Sequence, residues 1–319
     1  MEGIHYGRKR SGIKRELKKK IDSWLESIRD EEVKKLASKH VIVTGGSIAS
    51  MLLGEKVNDF DLYFRNIETT EAVANYYVNL YKENQEGKES NTGANPDLMY
   101  VKREVLKNIK GVDETRVVIY IQSAGVASES SEVPYQYFET RPENETAEFA
   151  ESLMQEHAEE SDKGEYRPTF LSQNAITLTG KIQIVIRFYG EPQEIHDNYD
   201  FAHAMCYYDY HKNDLVLPAE ALELLLSRTL IYKGSLYPVA SIFRAKKFIE
   251  RGWRITAGQL LKIMWQISEI DMKDPVILRE QLTGCDVAYM FQLIEALKNI
   301  DPEKINSAYI AEIIDRIFE

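Results

Sequence analysis

Cysteine is almost absent from this chain, with only Cys206 and Cys285 in 319 residues. Both lie in apolar segments far apart in sequence, which speaks against a disulfide framework or a cysteine zinc site and for reduced core thiols. Long apolar runs are missing as well. No stretch reaches the roughly 18 residues a membrane-spanning helix needs, and the polar, basic N-terminus has no apolar segment behind it, so neither a span nor a secretory signal is expected. A soluble cytoplasmic protein is the default. Positive charge is in deficit: 40 Lys and Arg stand against 51 Asp and Glu, a net −11, which argues against a surface coated for nucleic acid. The positive charge present is concentrated. Arg8, Lys9, Arg10, Lys14, Arg15, Lys18, Lys19 and Lys20 form a block near the N-terminus, while residues 139–165 are strongly acidic. The block either tracks an RNA backbone or is the solvated side of a helix that buries Ile13, Leu17, Ile21, Trp24, Leu25 and Ile28.

The most informative stretch is Val41-Ile42-Val43-Thr44-Gly45-Gly46-Ser47, followed after eleven residues by Asp59-Phe60-Asp61-Leu62-Tyr63-Phe64. An apolar strand runs into a glycine turn, a helix spans about Ser47 to Leu53, and a second strand carries two aspartates. Residues two apart on a strand share a face, so Asp59 and Asp61 project together while Phe60 turns to the core. Two adjacent carboxylates repel unless a cation sits between them. Hard divalent ions take such oxygen ligands and also bind phosphate, so the pair points to phosphoryl chemistry. Gly45 and Gly46 lack β-carbons that would hold phosphates away, and the helix start at Ser47 offers free N–H groups to an anion.

These residues resemble the catalytic head of the DNA polymerase β nucleotidyltransferase superfamily, nearest to tRNA nucleotidyltransferases and bacterial poly(A) polymerases. Gly45-Gly46-Ser47-Ile48-Ala49-Ser50-Met51-Leu52-Leu53-Gly54 is similar to that branch's Gly-Gly-x-Val-Arg-Asp-x-Leu-Leu-Gly run, with Ala49-Ser50 replacing its Arg-Asp. Tyr199-Asp200-Phe201-Ala202-His203-Ala204-Met205-Cys206-Tyr207 is similar to an Arg-Asp-Phe-x-x-Asn-Ala-Met-x-Tyr segment without its arginine and asparagine, and Arg244-Ala245-Lys246-Lys247-Phe248 to an Arg-Ala-x-Arg-Phe helix. Asn174-Ala175-Ile176-Thr177-Leu178 and Phe188-Tyr189-Gly190 resemble nucleotidyltransferase-like proteins of tailed phages and large DNA viruses, which implies the host cytoplasm as the place of action.

The resemblance implies Mg²⁺ or Mn²⁺ held by Asp59 and Asp61, and transfer of a nucleoside monophosphate from a triphosphate to an acceptor hydroxyl, with the 3′ end of RNA or tRNA favoured as acceptor and protein or small-molecule acceptors left open by the acidic chain and the replaced Arg-Asp pair. Gly45, Gly46, Ser47, Thr44 and Arg187 would serve the nucleotide, and Arg244 would neutralise phosphate charge. A third carboxylate belongs on the strand at Lys181 to Arg187, but Gln183 stands at its centre; Asp200 is the best replacement, ahead of Glu194 and Asp197. Gln183 favours the alternative of a catalytically inactive head kept as a nucleotide-binding or protein-interaction module. A rival reading, a metal-dependent phosphohydrolase, comes from His196, His203 and His211 near Asp197, Asp200 and Asp209, whose spacing fits no metal-helix pattern. Tyr207, Tyr208 and Tyr210 would stack on a base or sit in the core.

Periodicity predicts an α+β fold: a mixed-sheet nucleotidyltransferase head with flanking helices, then an all-α C-terminal region. Residues 1–39 form a basic helical segment, with a helix over about Lys14 to Ser38 broken near Asp30. Residues 40–217 form the head. A helix starts at Thr69-Thr70-Glu71, Lys82 to Asp97 is an exposed loop, and Arg116 to Gln122 is a strand extending the head's sheet. Residues 128–167 are an acidic surface insertion, partly helical near Ala147 to His157. Ala175 to Thr179 and Lys181 to Phe188 form a hairpin about Gly180 that closes the sheet. From 218 to 319 helices are expected over Pro218 to Tyr232, Pro238 to Arg251, Thr256 to Ile270, Pro275 to Thr283, Ala288 to Ile300 and Pro302 to Phe318.

Overall fold

The computed structural model describes residues 7–85, 94–107, 113–123, 166–172 and 174–272, together with positions 277 and 281. Helix α1 (Arg10–Ser27) turns Ile13, Leu17, Ile21 and Trp24 inward at helical spacing. The expected break near Asp30 is a helix cap. The Asp30 carboxylate accepts from the backbone N–H of Glu32 at 2.9 Å and Val33 at 3.0 Å and opens α2 (Glu31–His40). The chain then passes through β1 (Val41–Thr44), α3 (Gly46–Leu53), β2 (Phe60–Phe64) and α4 (Ile67–Gln85). Helix α4 begins two residues before Thr69 because Asn66 supplies the cap, its side-chain oxygen accepting from Thr69 N–H at 2.9 Å.

Residues 94–107 form β3 (Ala94–Lys107), and β4 (Asp113–Ser123) pairs with it as a separate antiparallel ribbon. The expectation that Arg116 to Gln122 extends the head's sheet is therefore corrected. Strand β2 is already flanked by β1 and β7, so the Val117–Ile121 run takes a partner of its own. Part of that partner falls in the expected Lys82 to Asp97 loop because its apolar positions are scattered among Asn, Asp, Lys, Arg and Glu. The insertion at 128–167, including Ala147 to His157, lies outside the described residues except for Tyr166 and Arg167.

Among the described residues the main sheet has seven strands in the order β5-β6-β7-β2-β1-β8-β9. The outer members are β5 (Pro168–Leu171), β6 (Ala175–Leu178), β7 (Ile182–Tyr189), β8 (Tyr207–Asp209) and β9 (Asp214–Val216). Only the β2–β7 pairing is parallel, so the sheet is mixed. The hairpin at Gly180 forms as expected, with Gly180 and Lys181 at φ 73° and 62°, but it lies inside the sheet with β5 beyond it rather than closing it.

Alternation along the strands divides the two faces. Val41, Val43, Leu62, Phe64, Ile182, Ile184 and Tyr208 face a large core completed by α1 and α4, where Trp24 donates its indole N–H to Tyr77 at 2.8 Å. The other face is thinly covered, with Ile42, Tyr63 and Ile195 at its centre. Helix α5 (Pro192–His196) and the segment through Tyr199 overlie it.

Beyond β9 come α6 (Ala219–Ser227), β10 (Thr229–Leu230), α7 (Pro238–Glu250), β11 (Arg254–Ile255) and α8 (Ala257–Ser268). The expected helix over Pro218 to Tyr232 stops at Ser227, where Arg228 turns left-handed at φ 47° and the chain pairs with β11. The expected helices over Pro238 to Arg251 and Thr256 to Ile270 are present. Those over Pro275 to Thr283, Ala288 to Ile300 and Pro302 to Phe318 fall outside the described residues, apart from the isolated positions 277 and 281. Leu230, Tyr232, Trp253 and Ile263 pack into the large core, so this helical part shares the head's interior. No helix among the described residues is long and apolar enough to cross a membrane.

Candidate active site at the glycine turn

One row of residues crosses the thinly covered face. Strand register sets Tyr207 of β8 beside Thr44 of β1, Thr44 beside Asp61 of β2, and Asp61 beside Gln183 of β7. Strand parity explains the row: Leu62 and Phe64 are buried on the core side, so Asp61 and Tyr63 must face the other way. The neighbouring-strand position beside Asp61 is therefore a neutral amide.

The chain leaves β1 through Gly45, whose φ of 96° and ψ of −152° suit glycine. A β-carbon there would stand 2.8 Å from Asp61 Oδ2 and 3.4 Å from the Tyr199 hydroxyl, so turn, carboxylate and phenol meet at one point. Gly46 is different. It is exposed, and a β-carbon on it would meet nothing within 4 Å, so the first turn of α3 opens onto free space. Ser47 is buried, and its Oγ has no hydrogen-bond partner among the described residues.

Asp61 keeps some exposed surface as a residue, but its carboxyl group is enclosed. Burial pushes that carboxyl well above the usual carboxylate range, the charge of Asp59 pushes it further, and the Arg244 guanidinium opposes them. Arg244, from α7, also donates to Asp200 Oδ2 at 2.5 Å. Asp200 thus holds the cation that faces the acidic pair. Among the described residues no three His, Cys, Asp or Glu side chains are grouped so as to hold a metal ion, so Asp200 does not complete a three-carboxylate cluster.

Thr44 is fully buried and turned inward. Its hydroxyl donates to the Cys206 carbonyl at 3.0 Å and lies 2.8 Å from His196 Nε2. Because the Thr44 proton is already engaged, the imidazole must carry its own proton on Nε2 and donate it. Burial lowers the His196 pKa to about 4, keeping the ring neutral, and pushes the Cys206 thiol up to about 12. Tyr199 packs against His196 and Tyr63, with ring centroids 5.1 and 6.2 Å away. Its buried hydroxyl, raised by burial and by nearby Tyr63 and Asp61, lies close to the Tyr63 and Thr44 hydroxyls but forms no hydrogen bond of normal geometry among the described residues. Sequence reasoning missed Tyr199 as a site residue and named His196 only under the phosphohydrolase reading. The available signal was that Tyr199 occupies the position where the resemblance has arginine.

Arg187 lies four residues along β7 from Gln183, in the irregular stretch where five steps of β7 oppose two of β2. It stacks 4.6 Å above the Tyr237 ring and reaches the Asn174 side-chain oxygen at 3.4 Å. The residues behind the phosphohydrolase reading have other surroundings. His203 is packed between Phe248 and Trp253 with its pKa lowered to about 4 by burial, and Asp209 accepts from Arg65 at 2.8 Å. Tyr208 is core and donates to Asn213.

Residues 15–228, which span both halves of this site except Arg244, match the Gabija anti-defense 2 (Gad2) family. The chain belongs to that family. No curated protein matches it. Two solved structures are similar: a Thermotoga maritima CCA-adding enzyme complexed with tRNA, at 13% identity and TM-score 0.37, and a CCA-adding enzyme in an apo form, at 11% identity and TM-score 0.35. Each match covers 92% of this chain and 58% of the other, so the chain spans little more than half the length of those structures.

Proposed function

We propose that this Gad2-family chain is a divalent-metal-dependent nucleotidyltransferase that moves a nucleoside monophosphate from a triphosphate to an acceptor hydroxyl, with an RNA 3′ end as acceptor. In that transfer the acceptor oxygen bonds the α-phosphorus, the bond from that phosphorus to pyrophosphate breaks, and pyrophosphate leaves. The observation that carries the reading is the meeting of Asp61 Oδ2 with Gly45 at the start of α3.

The residues fit Mg²⁺. Asp59 and Asp61 are hard oxygen donors whose mutual repulsion and burial call for a cation, and Mg²⁺ commonly uses one or two carboxylates with water and substrate phosphates. A bound divalent ion supplies neutralisation of the carboxylates and phosphates together. Ser47 and the backbone N–H groups of α3 would receive terminal phosphates, with Gly46 leaving room for them. Tyr199 would donate its hydroxyl to the same anion. Arg244, held by Asp200, adds positive charge without ligating the ion. Thr44 and His196 brace the turn from beneath.

Incubation with Mg²⁺ or Mn²⁺, α-labelled triphosphates and total RNA tests the proposal: label should pass to RNA and be lost in Asp59→Ala/Asp61→Ala. The family's name speaks of countering Gabija, and under this reading nucleotide transfer is the means. Gln183 beside Asp61 favours a second reading, a catalytically silent nucleotide-binding module. Triphosphate binding that depends on both aspartates, without label transfer to any acceptor, is its signature.

A further inference from the structure

The fold divides the basic block of α1 and the residues before it, Lys9 apart, into two sets. Arg8 pairs with Glu16, Arg10 reaches Asp214 at 3.2 Å and the Leu215 carbonyl at 2.6 Å, and Lys20 donates to the Gly180 carbonyl at 2.7 Å. These cations are structural. Lys14, Arg15, Lys18 and Lys19 instead line an open groove of about 400 Å³ between α1 and the β8–β9 turn, where Asn213 forms part of the wall. Lys18 is paired with Asp22 at 2.7 Å, while Lys14, Arg15 and Lys19 have no carboxylate partner among the described residues. Four cations against the single carboxylate of Asp22 make this groove positive on a chain whose net charge is −11.

We propose that this groove binds the sugar–phosphate backbone of RNA. Side chains of this kind recognise a polyanion by displacing its counterions. Asp22 separates RNA from DNA: a carboxylate repels phosphate but accepts the hydrogen of a ribose 2′-hydroxyl, which DNA lacks. Its Oδ1 accepts from Lys18 and Tyr210 and its Oδ2 from Lys18, so one lone pair, on Oδ2, remains for that hydroxyl. Strand β8 runs from Tyr207, beside Thr44, to Asp209, beside Ile42, so the β8–β9 turn lies at the end of the sheet away from Gly45. The groove therefore holds an internal stretch of an RNA strand. Its service to an acceptor end rests on the transfer reading; the binding does not.

The test is salt-dependent fluorescence anisotropy of the full chain with a labelled single-stranded RNA 20-mer, in EDTA and without triphosphate. Single strands lose about 0.7 in log–log slope per phosphate contact, so Lys14→Gln/Arg15→Gln/Lys19→Gln should lower the slope by about 2 and the affinity at 0.1 M salt on the order of 100-fold. Lys34→Gln/Lys35→Gln/Lys39→Gln on α2 removes the same charge elsewhere and should cost no more than about threefold. Equal losses from both triples overturn the groove, and so does a wild-type slope shallower than about 2. DNA of the same sequence binding as tightly as RNA overturns the assignment to RNA. Because the titration contains neither metal nor triphosphate, failed label transfer leaves it standing, and a failed titration leaves the transfer assay standing.

Discussion

Asp61→Asn should stabilise the metal-free protein and destabilise it relative to wild type once metal and nucleotide are present. Asp59 directly precedes β2, and two residues of extended chain span about 6.5–7 Å. At an effective dielectric near 20, two negative charges at that separation repel by about 2.5 kcal/mol. Arg244 offsets part of this, so neutralising Asp61 should gain roughly 1–2 kcal/mol, or about 2–6 °C in melting temperature for a protein of this size. The pH dependence follows from the direction of the shift. Asp61 has a folded-state pKa above its unfolded one, so its stabilising contribution is present below the unfolded value and lost as pH rises through the folded value. Asparagine removes that loss, so the gap between variant and wild type should widen with rising pH. Adding Mg²⁺ and a non-hydrolysable triphosphate at about 100 times the dissociation constant should raise wild-type stability by about 2.7 kcal/mol and the variant's by far less, reversing their order. Thermal melts in EDTA and in Mg²⁺–triphosphate, across pH 4.5 to 8, measure both. A variant that melts below wild type in EDTA, or that gains as much from the ligand, refutes the reasoning.

Gly45→Ala places a β-carbon 2.8 Å from Asp61 Oδ2 at a φ of 96°, and should cost about 2–3 kcal/mol in denaturant melts while abolishing triphosphate binding. Gly46→Ala adds a β-carbon in open space at a helical position, so stability should rise by about 0.5–1 kcal/mol while triphosphate affinity, read by calorimetry, falls. Tyr199→Phe removes a buried hydroxyl without a partner, so the free protein should keep or gain up to about 1 kcal/mol; triphosphate affinity should drop about tenfold, worth 1.4 kcal/mol. His196 and His203 are both held neutral, with pKa values lowered from 6.5 to about 4. Their stabilisation is present above pH 6.5 and lost as pH falls from there toward 4, about 3 kcal/mol each on full protonation. His203→Phe should flatten that acid limb in a pH series of unfolding midpoints, and an unchanged limb would count against the burial argument.

Features written in neighbouring residues were legible in the sequence. The β1–Gly45–α3–β2 succession, the face of β2 that carries Asp61, the inward stripe of α1 and the break at Asp30 depend on strand alternation, helical periodicity and capping, which operate over a few positions. The hairpin about Gly180 was legible for the same reason, and Gln183 does lie on the strand beside Asp61, though as the second residue of β7 rather than at its centre. Pairings between distant segments were not legible. Which strand accepts the Val117–Ile121 run, and that β5 lies beyond the hairpin, follow from which strand edges are already occupied. Tyr199 reaches the site from a segment more than a hundred residues downstream of Asp61, and no local pattern marks a phenol for that place, whereas Arg244, farther downstream still, was marked by its resemblance to an Arg-Ala-x-Arg-Phe helix. The tertiary structure alone decided that Asp200 restrains Arg244 and that Thr44 is engaged by His196, because a side chain's partner is set by packing across the sheet rather than by its neighbours in the chain.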